Sequence, residues 1–233
     1  MNYQISDTCI ALGKVILKPN ISFSFLSYLL QGEKNVLIDT VPEKTSEQFM
    51  DDLSAYTPIE KLDALILNHS EEDHSGAVGK LLEAKPDLPI FCTEACKGRL
   101  SAFYPNANFN TVADGETLRI GSFDFRFFHT PGLHWDDNMV TFFESEKILF
   151  SNDLFGQYTG CEPPIDEPYS KEQILSATSG YYEKVFSAAT VADRQAAFLV
   201  TKLPMQIIAP GHGAVLQKYI SDVLKYYQTK LSQ

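Results

Sequence analysis

Apolar and polar positions alternate in short blocks along the chain, and the blocks change period from one stretch to the next. Ile21 to Leu30 and Asn35 to Thr40 are apolar, β-rich runs separated by the polar turn Gln31-Gly32-Glu33-Lys34, which predicts a hairpin. Thr45 to Tyr56 has helical spacing. Ala64 to Leu67 is a continuous apolar run of the kind buried in a sheet covered on both faces. A helix is predicted from Glu71 to Ala84, stopping before Pro86, then a strand from Leu88 to Cys92 and a helix from Glu94 to Phe103. Five runs, Phe109 to Val112, Thr117 to Ile120, Phe123 to Phe128, Met139 to Phe143 and Lys147 to Phe150, read as a meander of strands. A loop rich in Pro and Gly follows Asp153. It leads into helices at Lys171 to Ala188 and Val191 to Leu203 and a strand at Gln206 to Ala209. Val215, Leu216, Tyr219, Ile220, Val223 and Tyr227 form one helical stripe. With no linker, repeat or low-complexity tract, residues 1–233 read as a single α/β domain with sheets inside and helices outside.

Composition narrows the class. Apolar residues at 44% and charged residues at 21% suit a globular core, and a net charge of −11 repels phosphate backbones and anionic membranes. Nucleic-acid and membrane partners are therefore not expected. No apolar run reaches a membrane span, and Met1 to Ile10 lacks the features of a signal peptide, so a cytoplasmic location is expected. Four scattered cysteines do not form a disulfide framework. Cys92 and Cys96 read as buried thiols.

The five histidines, His69, His74, His129, His134 and His212, each fall just after a predicted strand or in the segment that follows it. Strand-end loops let a rigid scaffold converge side chains from distant parts of a chain, which is the layout of a metal site. The densest piece, His69-Ser70-Glu71-Glu72-Asp73-His74, also fits a helix start, with Ser70-x-x-Asp73 as a capping box. Capping accounts for Ser70 and one acid and leaves two histidines and another acid over. His134 follows Thr130-Pro131-Gly132-Leu133, Asp153 follows a strand, and His212 lies in Pro210-Gly211-His212-Gly213.

These segments resemble the metallo-β-lactamase superfamily, whose αββα four-layer sandwich carries a binuclear site on such loops. The first motif reads His-x-Glu-x-Asp-His, with Glu71 where most of that superfamily has His, and in this it is similar to the flavodiiron proteins. Leu133-His134-Trp135 and the strand Ser27-Tyr28-Leu29-Leu30 extend the likeness. The resemblance implies one iron on His69, Glu71 and His134, a second on Asp73, His74 and His212, and Asp153 as the bridge. It implies two Fe ions (Fe2+/Fe3+) with a bridging oxo, hydroxo or peroxo group. A carboxylate in place of an imidazole hardens the site, in keeping with non-haem iron. Flavodiiron proteins carry an FMN-binding flavodoxin domain after the diiron domain. None is expected in these 233 residues, so the likeness is to a stand-alone diiron domain of the oxygen-binding type.

Around the ligands, His129 reads as a packed or hydrogen-bonded residue, Trp135 is the single tryptophan, and Asp136 and Asp137 are candidates to orient a ligand imidazole. Phe123, Phe125, Phe127 and Phe128 read as core. Lacking its own electron supply, the chain is expected first as an O2-binding protein in sensing or signalling, read by a protein partner. The alternative is an O2 or NO reductase fed by a separate redox protein such as rubredoxin or a flavoprotein. The third reading, a zinc hydrolase of the lactamase type, is opposed by Glu71. A homodimer is the association that family descent implies.

Overall fold

The structure, a computed structural model, describes residues 1–18 and 21–232. Two sheets face one another. The first has seven strands in chain order: β1 (Asn2–Gln4), β2 (Cys9–Lys18), β3 (Ile21–Gln31), β4 (Asn35–Ile38), β5 (Ala64–Ile66), β6 (Pro89–Cys92) and β7 (Asn108–Thr111). Its first four strands pair antiparallel and its last four parallel. The second sheet runs β12 (Ile207–Pro210), β11 (Ile148–Asn152), β10 (Met139–Phe143), β9 (Phe123–His129) and β8 (Thr117–Ile120), with β11 and β12 parallel.

Strand alternation assigns side chains to layers. In β5, Ala64 and Ile66 point to the inner core, where they join Phe125, Phe127, Met139, Phe143 and Phe150 from the second sheet, while Leu65 points to the outer helices. On that outer face lie α1 (Ser46–Ser54), α3 (Val78–Ala84) and α4 (Glu94–Leu100), through Phe49, Leu53, Leu81 and Cys96. On the far side, Val140, Phe142 and Leu149 turn to α5 (Lys171–Val185), α6 (Val191–Val200) and α7 (Ile220–Leu231). The result is the expected αββα sandwich. Each fully buried phenylalanine of its core contributes ~1.5–3 kcal/mol relative to exposure.

The differences from expectation are local. The hairpin of β3 and β4 forms, and β2, which no alternation in the sequence marks, pairs beside it: Cys9 to Leu12 are all buried because the strand is covered on both faces. The run at Phe109 to Val112 belongs to the first sheet, parallel to β6, so the antiparallel meander comprises only β8 to β11. The helix expected from Glu71 to Ala84 is broken into α2 (Glu72–Ser75) and α3 at Gly76 and Ala77, and Gly76 packs its backbone so close to Glu43 that a Cβ there would lie 2.3 Å from the Glu43 nitrogen. Val215 and Leu216 are not helical. They bridge to Ile165 and Ile208, and Asp166 receives the backbone N–H groups of Gln217, Lys218 and Tyr219 before α7 begins.

Candidate metal centre

Because β4, β5, β11 and β12 each end at the same rim of the sandwich, the residues that follow them meet there. Asp39 follows β4, His69 follows β5, Asp153 follows β11 directly, and His212 follows β12; the loop from β9 to β10 adds His134. The expected capping box at Ser70 is not formed. Glu71 is the N-cap of α2 without a side-chain cap bond, and the Ser70 backbone N–H donates to Asp137 instead. The motif is thereby freed from helix duty, and Glu71 and Asp73 turn to the histidines.

Two groups result, His69, Glu71, His134 and Asp153 on one side and Asp73, His74 and His212 on the other. The Glu71 Oε2 lies 3.0 Å from His134 Nε2 and 3.4 Å from His69 Nε2. Asp73 lies 3.6 Å from His74 Nε2 and 3.4 Å from His212 Nε2. Asp153, 1% exposed, faces both groups: Oδ2 is 3.4 Å from His134 and 3.7 Å from His69, and Oδ1 is 3.2 Å from His74 and 3.3 Å from His212. Metal–ligand bonds of about 2.0–2.2 Å put neighbouring ligand atoms about 3.0–3.5 Å apart, so these separations are those of two coordination polyhedra sharing one carboxylate. His69 Nε2, Asp73 Oδ1 and Asp153 Oδ2 are buried without hydrogen-bond partners, an arrangement that costs free energy unless a cation satisfies them. Four imidazoles and three carboxylates thus fit a pair of divalent or trivalent ions.

Outer contacts fix the rings. His69 Nδ1 is 3.0 Å from Asp137 Oδ1 and His212 Nδ1 is 2.9 Å from the Ser24 carbonyl; a proton on each Nδ1 leaves Nε2 free to face a metal ion. Asp137 therefore sits where an orienting carboxylate belongs. Asp136 is instead drawn to Arg99 on the surface, and His129 Nε2 bonds the Val112 carbonyl, 3.1 Å away. Trp135 stands edge-on to His69 with ring centroids 5.0 Å apart, under the Arg99 guanidinium.

Without metal, the site holds protons. Burial disfavours charge on His69, but the hydrogen bond to Asp137 and the neighbouring Glu71 carboxylate outweigh it and raise its pKa to about 10. Burial is likewise overcome at His212 by Asp153 and Asp73, again to about 10. His134 is raised to about 9 by the Asp153 and Glu71 carboxylates beside it, and Glu71 is held down at about 2 by His134 and His69. Burial works against ionisation of Asp153, but the surrounding histidines keep it well below the ordinary carboxylate value.

Three contributors were not foreseen. Tyr181 of α5 donates its hydroxyl to Asp153 Oδ1 at 2.7 Å. Phe23 stacks on His212 at 4.6 Å. Asp39, buried beneath the site, accepts from Asn68 N and Nδ2 and from Asn152 Nδ2, gripping the residues just before His69 and Asp153. Only Asp39 carried a signal, a lone acid directly after an apolar strand like the other strand-end donors. The cluster opens to solvent through a cleft of about 310 Å³ between Phe23, His134, Tyr158 and Lys184.

Fold and centre together define a metallo-β-lactamase-like domain with a binuclear donor set. The family model of the ODP family beta lactamase matches residues 23–213, and the chain belongs to that family. Its sequence is 36% identical over 210 residues to the anaerobic nitric oxide reductase flavorubredoxin of Vibrio vulnificus (strain YJ016), covering 88% of this chain and 42% of that protein. Among solved structures, the rubredoxin oxygen:oxidoreductase of the anaerobe Desulfovibrio gigas superposes with a TM-score of 0.91 at 25% identity, over 100% of this chain and 62% of that one. The flavodiiron protein of Giardia intestinalis shares the fold, with a TM-score of 0.91 at 23% identity over 99% of this chain and 59% of that one. The chain thus spans less than half the length of the Vibrio relative.

Proposed function

We propose that residues 1–233 form a diiron domain that reduces O2 or NO with electrons from a separate redox protein, with His69, Glu71, His134, Asp73, His74 and His212 as ligands and Asp153 as the bridge. The observation that carries this reading is Asp153, with one carboxylate oxygen turned to each ligand group. The reductase names of the Vibrio and Desulfovibrio relatives favour turnover over the sensing role expected first. A zinc hydrolase is disfavoured by Glu71, which adds a third carboxylate to the donor set.

A pair of irons held here would supply electrons and Lewis acidity to a diatomic gas. The protein's part is positional. Asp153 fixes the separation of the two halves, Asp137 and the Ser24 carbonyl hold two imidazoles in the ligating tautomer, and the Tyr181 hydroxyl steadies the bridge from α5. Phe23 and Tyr181 wall one side, while the open cleft beside His134 gives gas and donor an approach. The test is anaerobic loading with Fe(II), iron analysis, and measurement of O2 and NO consumption with reduced rubredoxin or a reduced flavoprotein in excess. Consumption over many turnovers supports a reductase. A single stoichiometric uptake restores the oxygen-binding reading, and preferential loading with zinc without gas consumption removes both.

A further inference from the structure

Aromatic side chains continue outward from the centre. Tyr181 is 3% exposed and donates its hydroxyl to Asp153 Oδ1 at 2.7 Å; its ring centroid lies 5.1 Å from that of Tyr158, which is 40% exposed. Besides the His212 ring at 5.8 Å, Tyr181 neighbours Phe186 at 6.0 Å, and only beyond Phe186 does Tyr182 follow, at 5.6 Å from it. Phenylalanine is far harder to oxidise than tyrosine, so that branch is interrupted and the outward one is not. Simple packing calls for rings at these places and not for hydroxyls on both of them. Tyr158 is exposed, so its phenolic proton can leave to water, while Tyr181, nearly buried, keeps its hydroxyl on Asp153 and offers the ring that links Tyr158 to the centre.

We propose that Tyr181 and Tyr158 form an exit for oxidising equivalents, which protects the centre when a gas is bound and donor electrons run short. The inference rests on the reductase reading. In the first step one electron would pass from Tyr158, by way of the Tyr181 ring, to an oxidised metal pair held by the seven donors. In the second, the Tyr158 phenolic proton goes to water, which leaves a neutral Tyr158 phenoxyl, while Tyr181 keeps its own proton in the hydrogen bond to Asp153. The Tyr158 phenoxyl then takes a hydrogen atom from a solution thiol, and two thiyl radicals combine as a disulfide. Per electron, the metal pair is reduced once, one proton is released to solvent, and both tyrosines return to their starting state. The path avoids the ligand histidines, whose oxidation would destroy the site.

The experiment uses the full chain loaded with Fe(II), mixed with O2 in the absence of donor and thiol, frozen at short times and examined by electron paramagnetic resonance, with mass spectrometry of the aged sample. Wild type is expected to show a tyrosyl radical and oxidation products concentrated at Tyr158. Tyr158→Phe keeps the ring and is expected to lose the Tyr158 products, with a several-fold rise in oxidation of Tyr181 and the histidines. Tyr181→Phe is expected to abolish the signal, and added thiol to quench it in wild type. Iron content of each variant confirms that the centre has formed. O2 uptake with no radical, a radical on Trp135, or oxidation of Tyr158 undiminished in Tyr181→Phe overturns the exit while leaving the reductase reading intact. Failure to consume O2 at all removes the reductase reading itself.

Discussion

Replacing Asp39 puts the strongest demand on this account, because two physical arguments predict opposite outcomes. Asp39 is a buried carboxylate with no cationic side chain bonded to it, and burial raises its pKa. Removing such a charge is often neutral or stabilising. Here, however, three buried N–H donors depend on it, Asn68 N at 2.7 Å, Asn68 Nδ2 at 2.9 Å and Asn152 Nδ2 at 3.1 Å. Asp39→Ala strands all three at about 1–3 kcal/mol each, a loss of about 3–9 kcal/mol. That is comparable with the ~5–15 kcal/mol holding a typical domain together. The backbone adds to it, since φ at Asp39 is 55°, a left-handed conformation costing an alanine about 1–2 kcal/mol that glycine escapes. Asp39→Asn keeps the shape, but its amide points an NH2 at one donor in one orientation and at two in the other, at a cost of about 1–3 kcal/mol or more. The expected order of stability is wild type, Asn, Gly, Ala, read from urea unfolding of the metal-free protein by circular dichroism. Wild-type stability in Asp39→Asn, or a loss below about 1 kcal/mol in Asp39→Ala, would show that the desolvation term dominates and refute the reasoning.

Asp137→Ala removes the partner of His69 and is expected to weaken metal binding about 10–100-fold in a chelator competition, whereas Asp136→Ala, which loses only its surface contact with Arg99, leaves the affinity unchanged. Gly211→Ala would place a methyl group 2.6 Å from His74 Cε1, so the imidazole must move; an altered iron spectrum with retained fold is expected, and an identical spectrum would count against His74 as a ligand. In the metal-free protein, His69, His134 and His212 keep their protons up to about pH 10, 9 and 10. Uptake of metal near neutral pH should therefore release about three protons from them, measurable with an indicator dye, and apparent affinity should fall as pH falls. For the metal-free fold the signs are fixed by the same shifts. The raised histidines stabilise fully below their ordinary 6.5 and lose that contribution as pH rises through 9 to 10; Glu71, lowered from 4.5, contributes above 4.5 and loses it as pH falls through about 2. Thermal unfolding of the metal-free protein should thus show its maximum between about pH 4.5 and 6.5.

What could be read from the chain depended on whether the working part of a residue is its side chain. The donors of the centre are chemically distinctive and their placement after strands is local, so His69 to His74, His134, Asp153 and His212 stood out, as did the two-sided burial of Ala64 to Leu67. The orientation of His212 depends instead on a backbone carbonyl at Ser24, which any residue type would supply, so no pattern of side chains marks it. Tyr181 lies on an amphipathic helix where an aromatic ring already accounts for the burial, and only the rim geometry gives its hydroxyl a partner. Sheet membership is equally non-local: Asn108–Thr111 resembles the meander strands that follow it, but its ladder partner is Pro89–Cys92, before it in the chain. The need for glycine at 76 follows the same logic, because the backbone that leaves no room for a side chain there belongs to Glu43 across the loop. A donor cluster assembled from strand ends is therefore legible in its candidate ligands and hidden in its supports, and the supports are what the Asp39 and Asp137 substitutions put under load.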